Sequence, residues 1–90
     1  MSKAVVDPVE LRRFAHGLKH FNKELQHQLA VLNGQFAALH DTWRDQEHEK
    51  FAREFQQTVQ VLLHFIASSD EHVPFLLRKA ERIDEYLRQR

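Results

Sequence analysis

The sequence has 90 residues, no cysteine, and thirteen basic against thirteen acidic side chains, for a formal net charge of zero. Disulfide staples, thiolate metal sites and a cysteine nucleophile are thereby excluded, and no long-range field exists to gather nucleic acid or an anionic membrane. With 42% hydrophobic and 29% charged residues, the chain reads as one globular domain over residues 1–90 whose stability must come from packing.

The N-terminal stretch Met1-Ser2-Lys3-Ala4-Val5-Val6 lacks the apolar run of a signal peptide, and no segment approaches the roughly 18 apolar residues of a membrane span. The expectation is a chain made in the cytoplasm, without direct membrane insertion, that leaves the cell, if at all, without a cleaved signal. Asp7-Pro8-Val9-Glu10 then supplies three helix-start signals: an acidic N-cap, proline at the first helical position and glutamate at the third. A first helix is predicted over about 8–39. Its large apolar residues recur at Leu11, Phe14, Leu18, Phe21, Leu25, Leu29, Leu32, Phe36 and Leu39, in steps of three and four. Arg12, Arg13, Lys19, Lys23, Glu24 and Gln26 make the solvated face. Gly17 and Gly34, both inside this helix, mark candidate close backbone approaches.

The stripe breaks at a turn spanning His40 to Asp45. Thr42 is the expected next N-cap, with Asp45 in the capping-box place, so the second helix is predicted over about 42–88. Its apolar line runs through Phe51, Phe55, Val59, Leu62, Ile66, Val73, Leu76, Ala80, Ile83 and Leu87. Pro74 deletes a helical hydrogen bond and clashes with the preceding turn, at about 3 kcal/mol. Because the stripe keeps phase across it, one helix kinked near Pro74 is favoured over a separate third helix.

The predicted fold is therefore all-α, an antiparallel two-helix hairpin. Two helices side by side leave the outer flanks of seven phenylalanines and many leucines wet, so a partner is expected to complete the core. Two hairpins would close into a four-helix bundle, a homo- or heterodimer with itself or a related helical hairpin. The residues assigned to the core and dimer seam are Leu11, Phe14, Leu18, Phe21, Leu25, Leu32, Phe36, Phe51, Phe55, Val59, Leu62 and Ile66.

Seven histidines, at positions 16, 20, 27, 40, 48, 64 and 72, invite a metal or pH reading. His16 and His20 lie one turn apart, but a zinc site needs three or four ligands and no further cluster accompanies them. Glu24-x-x-His27 has di-iron spacing, yet Leu25 occupies the inward position between them, and Asp45-x-x-His48 lies in a first helical turn. Histidines near an interface would charge together on acidification and loosen the assembly. No phosphate-cradling glycine loop and no activated nucleophile is present, so neither catalysis nor a cofactor is expected. Arg78, Lys79, Arg82, Arg88 and Arg90 are interrupted by Glu81, Asp84 and Glu85, and nucleic-acid binding is not expected either.

Trp43, the sole tryptophan, stands at the junction of the helices, either as a turn anchor packing on Leu39 or as an exposed handle for a partner. A chain near 90 residues with two helical stripes and Trp43-Arg44-Asp45 between them, followed by Phe51 and Phe55, resembles the WXG hairpin family, the early-secreted-antigen-like proteins of type VII secretion. The resemblance implies a substrate or adaptor that dimerises into a four-helix bundle, meets a membrane-bound secretion ATPase or a larger secreted protein, and is exported without a cleaved signal. It also implies that Trp43, with Asp45, contributes to a composite surface with the partner's C-terminal segment. Asp45 stands where the family has glycine, and the tyrosine-x-x-x-acid export pattern is not met at Tyr86, which Arg90 follows at that distance. The competing reading is a cytoplasmic structural or regulatory bundle unrelated to secretion.

Overall fold

A computed structural model describes residues 6–89. Helix α1 spans Pro8–Ala38, a 3₁₀ turn spans Leu39–Asp41, and α2 spans Gln46–Arg88, giving the two-helix hairpin expected. The molecule is a rod of 67 × 25 × 15 Å, the length that the 43 residues of α2 require at a rise of about 1.5 Å per residue.

The start of α1 follows its cap chemistry. Asp7 is in extended conformation and its carboxylate accepts from Val9 N–H at 2.9 Å, while Pro8 occupies the first turn where its missing N–H costs nothing. The start of α2 corrects the sequence reading. Thr42 is not its N-cap: its backbone N–H and its hydroxyl both turn back to the Leu39 carbonyl, at 3.0 and 3.4 Å. The cap is Asp45, whose Oδ1 accepts from His48 N–H at 3.0 Å, so the helix begins at Gln46 rather than 42. The first helix likewise ends at Ala38, one residue before the predicted 39.

α2 runs unbroken through Pro74, so there is no third helix among the described residues. Pro74 and Asp70, whose carbonyl loses its donor, are both exposed, and water can take the freed carbonyl. The glycine expectation fails: nothing lies within 4 Å of a Cβ built at Gly17 or Gly34, so neither marks a close approach.

The packing follows a repeat of seven. In α1 the buried line is Pro8, Ala15, Asn22 and Leu29, continued by half-buried Phe36; in α2 it is Val59, Ile66, Val73 and Ala80. Half-buried residues stand beside these lines, Leu11, Leu18 and Leu25 on α1 and Phe55, Leu62, Ser69, Leu76 and Ile83 on α2. This is the spacing by which two helices keep one seam in contact along their length. The innermost line of α1 is thus shifted from the stripe of large residues read in the sequence. Phe14 and Phe21 are 60% and 52% exposed, whereas Ala15 is fully buried and Asn22 is 1% exposed.

Asn22 is held by a polar cluster. Its Nδ2 donates to Ser69 Oγ at 2.7 Å and to Asp70 Oδ1 at 2.8 Å, and the Ser69 hydroxyl donates onward to the Phe65 carbonyl at 2.7 Å. Asn22 Oδ1 is buried without a partner. Further toward the chain ends, Arg12 pairs with Asp84 across the helices.

Candidate functional site

Two surfaces stand out, an aromatic tip and an open apolar face. The tip is built by the turn. The Leu39 carbonyl accepts from Trp43 N–H at 2.8 Å, Arg44 Nε donates to the His40 carbonyl at 2.9 Å, and Asp45 then restarts the helix. This path swings the Trp43 indole over the first turns of α2. Its ring meets the His48 imidazole edge-on at 5.0 Å, and Phe51 lies 6.4 Å away. His48 stacks on Phe36 with 6° between the planes and a centroid separation of 5.2 Å, and Phe36 packs on Phe55 at 5.0 Å and on Phe51 at 5.6 Å. His40 lies 5.8 Å from His48.

Trp43 is therefore both half-buried anchor and half-open surface. Aromatic groups already fixed in a cluster present large apolar area with little rotamer freedom left to lose, the property that makes such residues binding anchors. Asp45 fits the place where a glycine would be expected. Its φ is −109°, so the backbone demands no residue tolerant of positive φ, and aspartate and glycine are both accepted N-caps.

His48 is the tip residue that sequence reading missed. It continues the half-buried line of His48, Phe55 and Leu62 at intervals of seven, and that spacing was the available signal. Its Nε2 is buried without a partner. The remaining histidines are exposed, as are Glu24 and His27. Among the described residues, no three His, Asp or Glu side chains are grouped to share a metal ion.

The second surface lies along one side of the hairpin. Phe14, Phe21 and Leu32 of α1 are 60%, 52% and 48% exposed, and Phe51 and Phe65 of α2 are 46% and 44% exposed. Phe21 and Phe65 meet across the helices as an edge-to-face pair at 6.4 Å, so the two helices contribute to one continuous face. A groove of about 300 Å³ runs beside it, lined by Leu25, Gln28, Leu29, Val31, Leu32, Gln35 and Leu62. Of the residues assigned to the seam from sequence, Val59 and Ile66 are buried and Leu11, Leu18, Leu25, Phe36, Phe55 and Leu62 are half-buried. Phe14, Phe21, Leu32 and Phe51 are open.

With this geometry in view, comparison with known proteins is informative. The model of the family described as proteins of 100 residues with WXG matches residues 5–85. Among solved structures, the secreted protein EsxB of Bacillus anthracis strain Sterne superposes with a TM-score of 0.74 at 28% identity, over 96% of this chain and 98% of that one. A proline-to-alanine variant of that protein gives 0.76 at 29% identity, over 94% and 96% of the two chains. A glutamate-to-glutamine variant gives 0.74 at 27%, over 96% of each. No curated protein matches by sequence search. The family match covers nearly the whole chain and the superposed structures share both its length and its hairpin, so this chain belongs to the WXG family and is a helical protein associated with type VII secretion.

Proposed function

We propose that this chain is a non-enzymatic assembly protein of a type VII-like secretion system, a substrate or adaptor that works as one half of a four-helix bundle. The observation that supports this most is the open face of Phe14, Phe21, Leu32, Phe51 and Phe65. Five large side chains lie between 44% and 60% exposed along one side of a rod with no third layer of its own among the described residues. A monomeric protein rarely leaves such a contiguous apolar stripe wet, and a second amphipathic hairpin covers it with near-antiparallel helix packing. The second hairpin is another copy or a related chain. Residues 1–90 act as a single domain in this reading, and the chain is secreted, as the Bacillus anthracis relative is named to be.

In the assembled bundle, the Trp43 tip with its Asp45 cap faces the partner's C-terminal segment and the pair forms a composite surface for the secretion ATPase or a larger secreted protein. The half-exposed indole held against His48 and Phe51 supports this role. Native mass spectrometry of the protein made alone, and co-expressed with any sibling hairpin, is the direct test. A dimer that is lost in Phe21→Asp while helical content is retained is the expected result; a folded monomer in every mixture would refute the bundle. Export compared with and without the secretion ATPase then tests the assignment to secretion.

A further inference from the structure

The three most exposed large apolar residues described are Tyr86 at 67%, Val61 at 66% and Phe75 at 62%, and none belongs to the face assigned to the second hairpin. At about 100° per residue, Val61 and Tyr86 fall within about 40° of Phe75 around α2, whereas Phe65 and Phe51 lie about 80° and 120° away. They form an outer stripe, spanning about 38 Å at 1.5 Å per residue, which borders Phe65 at its Val61 end and turns away from that face at Phe75 and Tyr86.

Cations gather on the C-terminal part of this stripe. Lys79 and Arg82 lie within about 40° of Phe75 and Arg78 at about 60°, the last with its guanidinium 4.7 Å from the Phe75 ring centroid. From Phe75 to Tyr86 no carboxylate shares that stripe, and between Val61 and Phe75 exposed Glu71, about 40° from Phe75, is the carboxylate on it. Glu81 and Glu85 project about 120° and 80° from Phe75, and Asp84 points to the seam, where it pairs with Arg12. An exposed ring under a guanidinium, with two further cations beside it, presents an apolar contact and three carboxylate partners at once.

We infer that the outer face of α2 from Val61 to Tyr86 docks an acidic amphipathic helix of another protein. Its leucine-like side chains lie along Val61, Phe75 and Tyr86, and its carboxylates meet Arg78, Lys79 and Arg82. A straight stripe of this length suits a helix laid alongside α2. Phosphate polymers and anionic bilayers fit it less well, because the whole chain carries no net charge and Glu81 and Glu85 border the cations. The face is used independently of how the Phe14–Phe65 side is covered.

The test uses the full chain and a fluorescent helical peptide of about 20 residues, with leucines along one stripe and glutamates beside them. Matched peptides carry glutamine or lysine for glutamate. Phosphatidylserine vesicles and a single-stranded DNA oligonucleotide are the alternative probes. Micromolar binding of the acidic peptide is expected, weakened about tenfold or more by Phe75→Ala and by the double change Arg78→Glu, Arg82→Glu, with the double variant turning to the lysine peptide. The inference is overturned if the acidic peptide fails to bind at about 0.5 mM, or if the glutamine peptide binds equally well. Tighter binding of vesicles or DNA overturns it too. So does loss of the dimer mass in the double variant, which would place this face inside the bundle.

Discussion

The two halves of the rod close in different ways. Toward the tip, Leu29, Val59 and Ile66 form a buried apolar core flanked by Leu25, Phe55 and Leu62, and the Phe36, His48 and Phe51 rings extend it. Toward the chain ends, Ala15 and Ala80 are fully buried, Asn22 joins Ser69 and Asp70, and Arg12 pairs with Asp84. Large apolar side chains supply most of the burial free energy in the first half. In the second, Val73 and the small residues Ala15 and Ala80 fill the seam, and a directional polar cluster makes one alignment better than its neighbours. The tip half thus holds the apolar cluster, and the half toward the chain ends holds the directional polar pairing.

The largest expected effect breaks the tip half. Ile66→Ala removes buried methylenes from the centre of that core and should cost about 3 kcal/mol, read as a lower urea midpoint at unchanged slope. An equal loss from truncating exposed Leu87 would show that burial does not rank the two ends as described. Next in size is the change to Asn22. Asn22→Leu removes an unpaired buried oxygen and leaves the exposed Asp70 to water, so stability should stay within about 1 kcal/mol of the parent or rise. Alignment should suffer instead: engineered cysteine pairs across α1 and α2 one heptad out of step should begin to cross-link in Asn22→Leu and stay unlinked in the parent. A single cross-linking pattern in both proteins would remove the specifying role from the Asn22 cluster.

The most local effects lie at the turn joining α1 and α2. Asp45→Ala deletes the N-cap acceptor for His48 N–H and should cost about 1 kcal/mol, while Asp45→Gly should cost only a few tenths, both read by thermal unfolding. If glycine proved as costly as alanine, the account of how Asp45 fits the family's glycine position would fail.

The tip also shows how far the candidate site was legible. Trp43 between two apolar stripes was plain from its position, as were Phe51 and Phe55 one and two turns into α2. His48 was not, because a histidine among charged neighbours reads as surface until Phe36 is known to lie against it. The choice between Thr42 and Asp45 as N-cap was hidden for a similar reason. Both residue types cap helices, and what decides is that the Leu39 carbonyl draws in the N–H groups of Thr42 and Trp43, spending Thr42 on the turn.

The sequence alone determined that there would be two helices, that the first would start at Pro8, and that Val59, Ile66, Val73 and Ala80 would share a face. These depend on local capping and on periodicity within one helix, which neighbouring residues carry by themselves. Only the tertiary structure decided which line of that broad apolar stripe goes deepest. It chose Ala15 and Asn22 over Phe14 and Phe21 in α1. The physical reason is that a stripe wider than one contact line fits a neighbour at several rotations. The rotation adopted is set by how closely the two backbones approach and which polar groups they pair, and neither quantity exists until both helices are present.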